Sequence, residues 1–202
     1  MDSRKVTVLI PTYNRRVFLL EALKSIFIQS HKNWQIIIYD DSSTDNTKDD
    51  VFALMQLGIP IKYVCSKENN GASFARNRLL DLCDTEIACW QDSDDYSNKY
   101  RLEYQLKHLP ENQLVFSAFG TVTSKPTLIE ETPKIIKGNF AHASGMFIID
   151  KTIRFDETLR IAEDNDWRLH MTQKYNVLFL HDVLYYIRFH NDRLGVNKGI
   201  KK

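Results

Sequence analysis

The sequence predicts an α/β fold in which a mostly parallel sheet flanked by helices passes into a mixed sheet in the second half of the chain. Three observations predict it. Short runs rich in Val, Ile and Leu alternate with stretches of helical spacing as far as Gln91. Several of those runs stop at a polar or acidic segment. Beyond that point the alternation is lost, and strand-like runs outnumber helical ones.

Lys5–Ile10 reads as a buried strand broken by Pro11. Leu19, Ala22, Leu23, Ile26 and Phe27 then recur at helical spacing. Gln35–Tyr39 is a second strand, and Thr44-Asp45-Asn46-Thr47 offers caps for a helix that Gly58 ends. Ile61–Cys65 is a third strand, Ala72–Leu82 a third helix, and Glu86–Gln91 a fourth strand running into Asp92. Such βαβ alternation argues for right-handed crossovers and a parallel, Rossmann-like sheet. Later, Leu114–Thr123 reads as a strand followed by irregular chain around Pro126 and Pro133. Met146–Ile149, Val177–Leu180 and Val183–Phe189 read as further strands, and Asp164–Tyr175 as an amphipathic helix.

The chain has 202 residues, enough for one domain with a real core, expected to divide functionally near residue 95. A net charge of +1 creates no field that would favour nucleic acid. No apolar run reaches the ~20 residues of a membrane helix, and Val6–Ile10 is too short for a signal peptide. Three unpaired-looking cysteines, Cys65, Cys83 and Cys89, fit a reducing cytoplasm. Lys198, Lys201 and Lys202 are candidates for peripheral contact with the inner face of an anionic membrane.

In open α/β sheets ligands bind beyond the carboxyl ends of the strands. Pro11-Thr12-Tyr13-Asn14, Asp40-Asp41-Ser42-Ser43 and Asp92-Ser93-Asp94-Asp95 all reach that edge. Each alone is an ordinary turn, and Asp45 and Asp49 read as helix caps. Together, the five carboxylates in these segments would repel one another without a cation, and a hard divalent ion resolves that. The turn after the first strand has no glycine, which disfavours a dinucleotide-binding or P-loop phosphate cradle. Arg76, after Asn70-Gly71, is a candidate phosphate or base contact, or simply a surface arginine.

These segments, with Phe155-Asp156-Glu157, Glu163-Asp164, Trp167 and Tyr186-Ile187-Arg188-Phe189-His190, resemble in order and spacing the family 2 glycosyltransferases. The resemblance spans roughly residues 5–190 and implies the GT-A nucleotide-sugar fold. It implies that Pro11, Thr12 and Tyr13 line the nucleoside pocket, that Asp41 accepts from uracil, and that Arg76 lies near base or phosphates. Asp92 and Ser93 would face ribose or sugar, and Asp94 would bind Mn²⁺ or Mg²⁺ with His190 completing the site. Asp95 would support the metal or contact the acceptor. Asp164 would be the general base and Glu163 would orient its neighbours. His142 is a weaker candidate than His190, and Asn191-Asp192-Arg193 stands where the family carries hydroxyl residues.

The implied reaction is inverting transfer of a hexosyl group from a nucleoside diphosphate sugar, UDP-linked by expectation, to a hydroxyl of a glycan or lipid-linked glycan. Surface polysaccharide assembly is the implied setting. The rival readings are a catalytically silent nucleotide-sugar binding protein, a nucleotidyltransferase and a receiver domain. The second lacks its glycine-rich loop, and the third would be much shorter.

Overall fold

The computed structural model describes residues 2–109, 113–123, 140–159 and 162–190. The irregular segment around Pro126 and Pro133, Asn191-Asp192-Arg193 and the lysines at 198, 201 and 202 lie outside the described residues.

Four strands form the parallel half: β1 (Val6–Thr12), β2 (Trp34–Asp40), β3 (Ile61–Cys65) and β4 (Ile87–Trp90). Helices α1 (Arg16–Phe27), α2 (Thr47–Gln56) and α3 (Ala72–Leu82) connect them. The second half contributes β5 (Tyr96–Ser97), α4 (Arg101–His108), β6 (Leu114–Thr123), a 3-10 turn (His142–Ser144), β7 (Met146–Ile148), α5 (Glu163–Lys174) and β8 (Val177–Phe189). The eight strands among the described residues join one sheet in the order β3-β2-β1-β4-β7-β6-β8-β5. The β4–β7, β7–β6 and β8–β5 pairs are antiparallel, and β6–β8 is parallel, so the expected change to a mixed sheet occurs after β4.

The apolar runs are continuous because both faces of the sheet are covered. Val6, Val8 and Ile10 of β1 pack with Leu19 and Leu23 of α1, Val51 of α2 and Leu102 of α4. Leu9 points the other way, into a core with Leu79 of α3, Trp90, Phe147, Phe155 and Trp167 of α5. Strand alternation thus assigns successive side chains to different helix layers.

Three elements differ from expectation. β5 is only two residues long and carries no periodic signal. α4 was hidden because its buried positions are Arg101, Leu102, Gln105 and Leu106, half of them polar. The two expected strands Val177–Leu180 and Val183–Phe189 are one strand, β8, whose ladder with β6 shifts register around Ser117 and Ala118. The extra residues in β8 interrupt the alternation at His181-Asp182, which is why the sequence reads as a break. In α5 only Trp167 and Met171 are buried, so its apolar stripe is one turn wide.

Arg101 ties the two halves together. Its guanidinium is fully buried and donates to Gln105 Oε1 (3.0 Å), Gln91 Oε1 (3.2 Å), Ser97 Oγ (2.8 Å), the Trp90 carbonyl (2.8 Å) and the Ala143 carbonyl (2.9 Å). Arg101→Leu leaves those buried acceptors without a donor. It should cost at least about 3 kcal/mol, seen as a fall in Tm of roughly 6–12 °C. A loss below about 1 kcal/mol in urea unfolding would contradict this role.

The 3-10 turn holds His142 among Trp167 (ring centroids 5.0 Å), Trp90 (5.2 Å) and Phe155 (5.4 Å). Gly145 makes the close approach: a Cβ there would meet Phe116 Cε1 at 2.9 Å. Burial, then the charges of Arg76 and Arg168, hold the imidazole's pKa well below its usual 6.5. The unfolded chain binds a proton here below 6.5 and the folded chain does not, so stability falls as pH drops through 6.5. The expected slope from this residue is up to about 1.4 kcal/mol per pH unit. Chemical unfolding of wild type and His142→Gln between pH 7.5 and about 5 checks it, since the variant should lose that part of the slope.

Candidate active site

The loops after β1 and β2 are latched to each other. Asn14 N–H donates to Ser43 Oγ (2.8 Å), and Thr44 N–H donates to Asn14 Oδ1 (2.8 Å). Asp45 caps as expected and serves two helices: Oδ2 accepts from Arg16 N–H at the start of α1 (2.9 Å), and Oδ1 from the Thr47 hydroxyl of α2 (2.6 Å). Asp49 lies in the first turn of α2. Pro11 is half-buried and Thr12 buried, its Oγ1 without a hydrogen-bond partner. Tyr13 is exposed at the sheet edge.

Asp40 and Asp41 are both buried. Asp40 accepts from the Tyr63 hydroxyl (2.5 Å) and from Ser43 N–H (2.7 Å). Both oxygens of Asp41 already accept from the backbone. The carboxylate takes Asn70 N–H (3.0 and 3.1 Å to its two oxygens) and Gly71 N–H (2.7 Å). Gly71, at φ 95°, sits in a backbone region that side chains disfavour, and it aims its N–H at the carboxylate. Asp41 therefore shapes the loop leading into α3.

Beyond β4, ligand oxygens of Asp92, Asp94 and Asp95 lie within 4.8 Å of one another. Ser93 between them is buried. Asp94 Oδ2 is 2.9 Å from His190 Nε2 and 3.9 Å from Arg15 Nε. The structure thus brings His190 to Asp94 from the far end of β8. Asp95 is fully buried, and its Oδ1 accepts the Arg188 backbone N–H (2.9 Å). Asp92 N–H donates to the Tyr185 hydroxyl (3.0 Å), a second link from β8. Three carboxylates with a neighbouring imidazole suit a hard divalent ion such as Mn²⁺ or Mg²⁺.

Arg76 is buried rather than a surface helical arginine. Nη1 bonds Glu163 Oε1 at 2.8 Å and Nη2 lies 3.5 Å from Asp92 Oδ1, with the guanidinium 5.4 Å from the Phe155 ring centre. One cation therefore bridges the acidic loop after β4 and the start of α5. Asp164, the next residue, lines a cleft of about 600 Å³ together with Arg76, Asp92, Asp95, His142 and Phe179. Glu163 is engaged by Arg76, and Asp164 is the acid of the pair that reaches the cleft. Sequence reasoning left Arg188 and Glu21 without roles. Their ion pair, 2.5 Å between Nη1 and Oε2, joins β8 to α1 and has no local signature.

Among the described residues no helix is long and apolar enough to cross a membrane. The family model described as glycosyl transferase family 2 matches residues 7–182. The putative teichuronic acid biosynthesis glycosyltransferase TuaG of Bacillus subtilis is 37% identical over 115 residues, covering 57% of this chain and 46% of that protein. This chain thus spans less than half of that relative's length. Among solved structures, TarS 1–349 of S. aureus in complex with UDP-GlcNAc superposes with a TM-score of 0.79 at 22% identity, covering 94% of this chain and 60% of the other. The mannosyltransferase PcManGT of Pyrobaculum calidifontis, in complex with GDP-Man and Mn²⁺, gives 0.71 at 19% identity, covering 92% and 57%. These likenesses establish a GT-A fold, and the sequence match establishes that the chain belongs to glycosyl transferase family 2.

Proposed function

We propose that the chain is a metal-dependent inverting glycosyltransferase that moves a hexosyl group from a UDP-sugar to a hydroxyl of a growing glycan, free or lipid-linked, in surface polysaccharide assembly. The observation that carries this reading is the Asp92–Arg76–Glu163 bridge, which places the acidic loop and Asp164 on one cleft. The teichuronic acid assignment of TuaG supports the polysaccharide setting. UDP-GlcNAc on TarS supports a nucleotide-sugar donor.

In this reading residues up to 95 handle the donor and residues from 96 the acceptor. Tyr13, exposed at the edge, stacks on the base, beside Pro11 and the buried hydroxyl of Thr12. Asp41 fixes the loop through Asn70 and Gly71 and keeps acceptor capacity for the uracil N–H. Asp92 and Ser93 face ribose and sugar. Asp94 and His190 hold Mn²⁺ or Mg²⁺, with Asp95 behind them. When bound, that ion supplies Lewis-acid stabilisation of the charge on the leaving diphosphate. Asp164 takes the acceptor hydroxyl's proton as the oxygen attacks the anomeric carbon opposite the leaving group, which inverts the configuration. Glu163, held by Arg76, orients the start of α5 so that the neighbouring carboxylate faces the acceptor.

Two substitutions test the assignment. Asp94→Asn should stay folded and lose most of the Mn²⁺-dependent part of UDP affinity in calorimetry, at least roughly 10-fold, a change of about 1.4 kcal/mol. Full metal-dependent binding by the variant would remove Asp94 as a ligand. Asp164→Asn should keep UDP and metal affinity while release of UDP from the donor falls roughly 10²–10⁴-fold. Near wild-type turnover in a folded Asp164→Asn protein would move the base elsewhere, with Glu163 next.

A further inference from the structure

Arg188 lies beside the acidic loop and has no part in the chemistry above. Its side chain is 1% exposed, with Nη1 2.5 Å from Glu21 Oε2. Its guanidinium sits between the rings of Tyr96 (4.3 Å to the centroid) and Phe18 (4.6 Å). The Tyr96 hydroxyl donates to the same Glu21 oxygen (2.9 Å). From this fixed position Arg188 reaches the loop twice. Nε donates to the Asp94 carbonyl (3.0 Å), and the backbone N–H donates to Asp95 Oδ1 (2.9 Å). Phe18 also packs on the His190 ring, 4.4 Å between centroids.

The acidic loop follows β4, while His190 follows β8, and β7 and β6 stand between those strands in the sheet. Ladder hydrogen bonds between β4 and β8 therefore do not set the spacing of Asp94 and His190. We propose that Arg188, oriented by Glu21, is the positioning residue that sets this spacing before cation or diphosphate arrives. It binds Asp94 through the main-chain carbonyl, leaving that residue's carboxylate for a cation. Glu21 pairs the buried guanidinium, which removes the penalty of an isolated buried charge. The planar fork serves Asp94 and Glu21 at once, which an ammonium cannot do in the same geometry. A ligand set held in place costs less ordering when it binds, so affinity follows from the clamp without a further ligand.

This inference rests on the metal-site reading above, and the experiment separates the two. Wild type, Glu21→Gln and Arg188→Lys are compared in three measurements: Tm, UDP affinity with chelator, and Mn²⁺ affinity with UDP present. The last is read from the paramagnetic resonance of free Mn²⁺. The expected result is a Mn²⁺ affinity at least roughly 10-fold weaker in both variants, a changed signal from bound Mn²⁺, and UDP affinity in chelator within about twofold of wild type. Unchanged Mn²⁺ affinity in folded Glu21→Gln overturns the clamp while the metal site stands. Equal losses with chelator and with Mn²⁺ also overturn it, since they signify general damage to the fold. Glu21→Gln keeps the side-chain shape and decides the question if Arg188→Lys does not fold. A wild-type chain that does not bind Mn²⁺ overturns the metal reading itself.

Discussion

The site depends on a buried cation that touches no substrate in the proposed reaction. Arg101 donates to the chain at Trp90, just before β4 gives way to the acidic loop, and to Ala143 in the 3-10 turn beneath the cleft. It also holds Gln91 and Ser97 on either side of Asp92-Ser93-Asp94-Asp95. Its guanidinium lies 4.7 Å from the centre of the Tyr185 ring, whose hydroxyl accepts from Asp92 N–H. Satisfying one buried charge therefore fixes both ends of the acidic loop and the strand facing it. A polar network of this kind rigidifies only when every member is paired. Gln105 shows the same economy, its amide donating to the Val115 and Ser144 carbonyls.

Around the cleft and loop the acids outnumber the cations. Glu21, Asp92, Asp94, Asp95, Glu163 and Asp164 are set against Arg15, Arg76, Arg101, Arg168 and Arg188. The arginines are spent on geometry, each tied to a carboxylate or a carbonyl, and a surplus of negative charge remains at the edge. That surplus explains why Asp94 attracts both Arg15 and His190.

How far the sequence could be read follows from which signals are local. Strands β1 to β4 were legible because a sheet covered on both faces demands unbroken apolar runs, and Asp45 and Gly58 marked helix ends. The resemblance singled out the acidic loop and His190, whereas the approach of His190 to Asp94 across β7 and β6 has no local signature in the sequence. α4 was not legible, because Arg101 and Gln105 occupy positions where a periodicity search expects apolar residues. Arg76 was ambiguous, since burial of a helical arginine depends on Glu163 and Asp92, which are remote in sequence. The backbone N–H groups of Asn70 and Gly71 that Asp41 accepts carry no signature in the sequence, because sequence patterns do not display main-chain direction. Glu21 and Arg188 meet because α1 packs against β5, which pairs with β8.

The position of β8 has a consequence for how the protein is made. The four parallel strands pair within the first 90 residues and can close their own ladders early in synthesis. β8 must then pair in parallel with β6, from which a long stretch of chain separates it, and such pairings close slowly. Until it docks, β6 presents an open edge and the acidic loop lacks both Arg188 and His190. The nascent chain thus passes through a stage with a formed parallel core and an unfinished site. The acidic loop gains these two partners only when β8, the last strand among the described residues, has docked.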